Sequence, residues 1–183
     1  MSQGAHKQGR FQKQEQKEFF EEVVQIDRVT KVVKGGRKMR FRATVVLGNK
    51  RGRVGMGIGK SNEVTGAIQK AIAQAKKAMI NVKLDGTTIP HEVRAKFKSA
   101  KVLLMPAAEG TGLITGGTVR KVLELAGVKD VLSKRFGSSN KINNTRAVLD
   151  AISKLKTTPY MEKRAKAKAA VLAQAQAKAQ AQA

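Results

Sequence analysis

The chain has no cysteine and no tryptophan, and only one tyrosine, six phenylalanines and three prolines among 183 residues. Without cysteine there can be no disulfide staple, thiolate metal site or thiol nucleophile. The two histidines, His6 and His91, lie far apart with no ligand spacing between them, so neither a metal nor a cofactor is expected. So few rings cannot make base stacking the main mode of contact with a nucleic acid. Long apolar runs are missing as well. No stretch approaches the roughly 20 residues that span a bilayer, and residues 1–14 are polar with no signal-peptide core. A soluble, cytoplasmic chain with no membrane contact is the expectation. Acidic residues are the last scarcity: 13 Asp and Glu face 37 Lys and Arg, a net charge of +24, which points to a polyanionic partner. A hydrophobic content of 41% is enough for a core, in one domain or two small ones.

The positive charge is concentrated. From Asp27 to Glu63 no acid intervenes, yet Arg28, Lys31, Lys34, Arg37, Lys38, Arg40, Arg42, Lys50, Arg51, Arg53 and Lys60 fall there. Solvated surfaces usually mix both signs, whereas an unmixed stretch repels itself until counterions or phosphates neutralise it. This segment therefore reads as a nucleic-acid surface, preceded by an acidic lead-in of Glu15, Glu18, Glu21, Glu22 and Asp27. The Ala, Gln and Lys run from Lys163 to Ala183 and the polar residues 1–14 carry too little apolar surface to bury.

Periodicity sets out the elements. Met39, Phe41, Ala43, Val45 and Leu47 alternate with Lys38, Arg40, Arg42, Thr44 and Val46, as a half-buried strand does. Val23 to Val33 joins it through Lys34-Gly35-Gly36-Arg37, a hairpin turn with a basic tip. Val54, Met56 and Ile58 alternate with Gly55, Gly57 and Gly59 in a third strand, whose glycine face could admit another backbone or a phosphate. Val64, Ile68, Ala71, Ile72, Ala75 and Met79 then recur at helical spacing. With Ser61 or Asn62 as its N-cap, that helix would begin beside Lys60 as an anion site. A second block has strands at Val93–Lys98, Lys101–Met105 and Val128–Phe136. Its helices lie at 119–126, ended by Gly127, and at Thr145–Leu155 with Asn143 or Asn144 as cap. Its order is β-β-α-β-α, and two α+β domains are expected to meet around residues 80–90.

Catalytic motifs fail on inspection. Gly59-Lys60-Ser61 sits between strand and helix as a nucleotide-binding loop does, but the required glycine five residues earlier is Val54. Gly110-Thr111-Gly112 opens a dinucleotide fingerprint whose third glycine is Thr115, so tight backbone packing explains it better. Glu109, Glu124, Asp130 and Asp150 have no histidine partner by spacing and read as solvated or ion-paired, and His91 reads as a residue leading into a strand. No enzyme is expected.

Gly57-Ile58-Gly59-Lys60-Ser61, followed by a helix with Ala67, Ala71 and Ala75, resembles the end of a double-stranded-RNA-binding domain. A broader match carries Val33-Lys34-Gly35-Gly36-Arg37, Gly52 to Lys60, Ala67 to Ala71, Pro106 to Gly112, Ala126-Gly127-Val128 and Gly137-Ser138-Ser139-Asn140. With these runs in order from Glu21 to Thr157, the chain resembles the bacterial small-ribosomal-subunit protein five family. The resemblance implies an α+β fold: a duplex-RNA-binding-like βββα domain at 21–84 and a βαβα domain at 85–158, between tails at 1–20 and 159–183. It implies a structural role on small-subunit 16S rRNA, in subunit assembly and in decoding fidelity. Expected neighbours are ribosomal proteins four and eight and the mRNA as it enters the subunit. The hairpin at Lys34 to Arg37 would reach rRNA, and the side facing protein four would include Gly110, Thr111, Gly112 and Arg120. Within this picture Arg37, Arg40, Arg42 and Arg53 engage phosphates bidentately, while Gly35, Gly36, Gly55, Gly57 and Gly59 let backbone approach RNA. A free RNA-binding regulator or chaperone is the alternative.

Overall fold

The computed structural model describes residues 18–157 and Pro159, so the expected tails lie almost wholly outside the described residues. Strands β1 (Phe20–Val33), β2 (Gly36–Gly48) and β3 (Arg53–Ser61) lead into helix α1 (Val64–Lys77) and a short β4 (Met79–Asn81). They form an antiparallel sheet in the order β1-β2-β3-β4. The second half adds β5 (Val93–Phe97), β6 (Ala100–Pro106), β7 (Leu113–Ile114), α2 (Gly117–Ala126), β8 (Val131–Phe136) and α3 (Lys141–Ser153). Its sheet runs β5-β6-β8-β7, mixed because β7 lies parallel to β8. The α+β architecture follows the sequence pattern, with β4 and β7 added; at three and two residues they are too short to show a period.

The hairpin between β1 and β2 turns on Lys34 and Gly35, with Val33 paired to Gly36. Gly35 takes φ +86°, the left-handed region that glycine enters without a Cβ penalty. Helix caps depart from expectation. The residue before α1 is Glu63, with no side-chain cap, rather than Ser61 or Asn62. Helix α3 starts earlier than its apolar stripe suggests, because Asn140 Oδ1 accepts the Ile142 and Asn143 N–H groups at 3.0 and 3.5 Å. Asn144 is instead buried, its amide donating to the Ser138 carbonyl at 3.0 Å. Gly127 ends α2 with φ +93°, as its position predicts. Strand β8 begins only at Val131, because Val128 is held in that turn by a hydrogen bond to the Leu123 carbonyl.

Each face of the first sheet is covered differently. On one face the glycines of β3 meet the small side chains of α1: Ala67, Ala71 and Ala75 are fully buried one helical turn apart. A methyl group added at Gly55 would sit 2.6 Å from the Ala75 carbonyl oxygen, and those at Gly57 and Gly59 would overlap the Ala71 and Ala67 carbonyls. Ala43, Val45, Phe41 and Ile72 pack around this contact. On the opposite face Val24, Val46 and Val54 join Val119, Val122 and Leu125 of α2 in one apolar core that continues through the second domain. The turn between β2 and β3 seals the junction. Lys50 and Gly52 N–H groups donate to the Leu125 and Ala126 carbonyls, each at 2.9 Å, which satisfies acceptors that a helix end leaves open. Lys121 spans the same junction, 2.8 Å from Glu22 and 2.9 Å from the Val23 carbonyl.

Because the Gly57 contact is backbone on backbone, no rotamer change can relieve an added methyl. Gly57→Ala is expected to destabilise the protein by about 3 kcal/mol, read as a lower urea midpoint at unchanged m-value.

Candidate nucleic-acid interface

Strand β3 pairs with β2 only from Ser61 opposite Phe41, so the hairpin from Arg28 to Arg40 extends past it as a two-stranded arm. Side chains alternate across this arm. Lys31 lies directly opposite Lys38 and Val29 opposite Arg40, on one face; Arg28 opposite Phe41, Thr30 opposite Met39 and Val32 opposite Arg37 share the other. On the first face Lys31, Lys38, Arg40 and Lys60 surround a groove of about 440 Å³ floored by Val29 and Val33, and no carboxylate lines it. Facing lysines on neighbouring strands repel each other. An anion seated between them removes that repulsion, and the arginine fork can hold a phosphate through two oxygens. The second face is basic at Arg28 and Arg37 and carries exposed Val32 and Met39. At the tip Lys34, Gly35 and Gly36 are exposed, with open space around both glycines.

Several expected contacts are placed elsewhere. Arg42 faces Asp27 across the hairpin and is clamped by it through two bonds of 2.8 and 3.1 Å, while Gln25 also hydrogen-bonds that carboxylate. Its guanidinium fork is thus engaged within the protein. Gly55, Gly57 and Gly59 are buried beneath α1, so their missing side chains admit the helix backbone and not RNA. Lys50, Arg51 and Arg53 belong to the turn at the other end of β2, about 40 Å from the arm's tip for a strand of this length. There Lys50 holds its ammonium 4.5 Å from the Phe20 ring centre. The anion site expected at the start of α1 is opposed by the negative charge of Glu63, the N-cap residue, which repels an anion from the positive end of the helix dipole.

The second expected cluster is a braced loop. Gly110 and Gly112 have positive φ and direct their N–H groups to Asp130 Oδ1 at 3.1 and 2.8 Å. Arg120 donates to the Leu113 carbonyl at 3.0 Å from the next helix, and Thr111 stays exposed. Asp130 is buried at 4% exposure, and the Gly112 N–H, with the Gly110 N–H beside it, holds its carboxyl below the ordinary aspartate value. Spacing alone marks Asp130 as solvated or ion-paired; its role as the brace depends on partners 18 to 20 residues away. His91 Nε2 accepts the Lys156 N–H at 3.0 Å, a structural link to the end of α3. Among the described residues, no cluster of His, Cys, Asp and Glu could hold a metal ion and no helix is long and apolar enough to cross a membrane. A third cationic group does not stand out in the sequence: Arg94, Lys96, Lys101 and Lys134 on the second sheet. Its only signal is alternation within short strands.

Comparison with known families divides the chain the same way. The family model described as ribosomal protein S5, N-terminal domain, matches residues 19–83, and that of ribosomal protein S5, C-terminal domain, matches residues 95–165.

The Asp130 brace fixes the sign of a pH effect. A carboxyl with a lowered folded-state pKa contributes stability that is complete above the unfolded value of 3.8 and is lost as pH falls through the folded value. Asp130→Asn, which keeps an acceptor and removes the charge, is expected to be less stable than the parent at neutral pH. That difference should shrink below about pH 3.8 in chemical denaturation across pH.

Proposed function

Since the chain belongs to the ribosomal protein S5 family, we propose that it is a structural constituent of the small ribosomal subunit and that the arm between Arg28 and Arg40, with Lys60, grips small-subunit rRNA. The observation that carries this reading is the Lys31, Lys38, Arg40 and Lys60 groove: four cations, two of them directly opposed, with no carboxylate among them. Phosphates gathered there neutralise the repulsion, and Lys34, Arg37 and Arg28 supply charge around the tip and on the arm's reverse face. The covered sheet behind the arm supplies rigidity, so binding orders little backbone and fixes the bound RNA segments relative to the second domain. The braced loop at Gly110, Thr111 and Gly112, with Arg120, is the surface for ribosomal protein four. Ribosomal protein eight and the mRNA entering the subunit are the other neighbours, and the protein works in the cytoplasm. The role is architectural, in assembly and decoding fidelity, with no chemical step.

Two measurements test it. The full-length protein should co-sediment with small subunits at near-stoichiometric level through a moderate salt wash; recovery mainly in ribosome-free fractions would favour a free RNA-binding regulator. In rRNA binding titrated against salt, Lys38→Ala with Arg40→Ala should reduce the log–log slope by about 0.7 to 0.9 for each phosphate no longer neutralised. Arg42→Ala should leave that slope intact and lower stability instead, because its partner is Asp27.

A further inference from the structure

The second sheet packs α2 and α3 against one face, which buries Val93, Ala95, Val102, Leu104 and Val131. The other face has no covering element among the described residues. Strand register arranges it as a grid: Arg94, Leu103 and Lys134 lie side by side across β5, β6 and β8, and Lys96, Lys101 and Phe136 form the next row. All four cations are exposed, Phe136 keeps 49% of its surface accessible, and Leu103 is half-buried between them. A shallow groove of about 540 Å³ is lined by Arg94, Leu103, Lys96, Lys101 and Phe136 of these rows and by Lys154 from the end of α3, with no carboxylate in its lining; Lys134 lies outside it. The nearest acid in sequence, Glu92, pairs with Arg94 at 3.0 Å in an exposed contact of small worth.

We propose that this face is a second RNA-binding surface, distinct from the arm, and that it takes an unpaired RNA strand. Three features favour this occupant. Lys96 and Lys101 are direct cross-strand neighbours of like charge, an arrangement that an anion relieves. Lysine is depleted at the centres of protein–protein interfaces, where burying the ammonium is costly, but it serves well against phosphates that stay partly hydrated. An open ring within a cationic sheet offers its face to a base, and only an unpaired base has a face to give; in a duplex both faces are already stacked. Lys96, Lys101 and Lys134 thus hold the backbone while Phe136 and Leu103 support a base.

The test uses the full-length protein and a fluorescein-labelled ten-nucleotide oligouridine, followed by anisotropy over a range of salt concentrations. To reduce the arm's contribution, the measurement is made in the Lys38→Ala, Arg40→Ala background, and each further variant is compared with that background. There Lys96→Ala with Lys101→Ala is expected to reduce the salt slope by about 1.4, or 0.7 per phosphate on a single strand. Phe136→Ala is expected to weaken binding by about fivefold or more at unchanged slope, as removal of a stacking platform should. Lys96→Arg with Lys101→Arg should retain the slope, which separates loss of charge from misfolding. Unchanged affinity and slope in the double alanine variant would overturn the proposal. So would equal losses of oligouridine and duplex RNA binding on replacing Lys96 and Lys101, with no effect from Phe136→Ala. Crosslinks from Lys96 and Lys101 to a neighbouring protein in intact small subunits, with oligouridine binding unaffected by their replacement, would assign the face to a protein partner instead.

Discussion

The contact between α1 and the glycine face of β3 is the constraint from which the rest of the structure follows. Helix backbone rests on strand backbone because Gly55, Gly57 and Gly59 have no side chains to hold them apart and Ala67, Ala71 and Ala75 have only methyls. That close approach occupies one face of the first sheet. The opposite face is filled by α2, with Val24, Val46 and Val54 buried against Val119, Val122 and Leu125. With both faces taken, the sheet has no broad surface left for a ligand. What remains is the part of the β1–β2 hairpin that runs past β3, where Lys31, Lys38 and Arg40 meet Lys60 around a groove that no carboxylate lines. Burial and exposed charge are thus separated along the length of two strands, with residues of β2 changing from exposed to buried between Arg40 and Ala43.

Charge is divided by the same geometry. Arg42 lies at the boundary, half-buried, and its ion pair with Asp27 keeps a cation from being desolvated alone where the arm meets the core. Beyond it no acid accompanies Lys31, Lys38, Arg40 and Lys60 in their groove. Behind it, the Lys50 N–H and the Lys121 ammonium join the two domains, through the Leu125 carbonyl and through Val23 and Glu22. One uninterrupted cationic run in sequence therefore ends in three different places: an open groove on the arm, an internal clamp at Asp27, and a junction with α2.

This division explains which parts of the fold and the interface the sequence reveals. Strands and helices with several repeats of their period are plain, and so is the αL ending at Gly127. The glycine strand is ambiguous by nature, since removing Cβ favours a helix backbone and a phosphate alike. The resolving signal lies in the four-residue spacing of Ala67, Ala71 and Ala75, whose small side chains match the glycines. Hairpin register is harder to read. Centring the turn on Gly35-Gly36 pairs Lys34 with Arg37 and shifts every partner along the arm by two residues. The observed turn on Lys34-Gly35 brings Asp27 opposite Arg42 and Lys31 opposite Lys38. A single residue in the turn thus decides whether Arg42 is available to RNA. The Asp130 brace and the rows across the second sheet are hidden for a different reason: both depend on neighbours distant in sequence, which composition and spacing do not encode.

The two cationic surfaces share one physical design. In each, the pleat of an antiparallel pair presents alternate residues on one open face at intervals of about 6.6 Å along a strand and 4.8 Å across strands. Lysines on both members of such a pair, Lys31 with Lys38 and Lys96 with Lys101, set like charges side by side in a protein already carrying +24. Spreading the same charges over the surface would lower their mutual repulsion, so the pairing has a cost that folding alone does not recover. A chain of phosphates recovers it, because each phosphate can sit between two ammonium groups and the released counterions favour association. The arm's groove has aliphatic Val29 and Val33 at its floor, whereas the second sheet adds the open ring of Phe136. That difference separates a surface suited to RNA backbone alone from one that can also support a base.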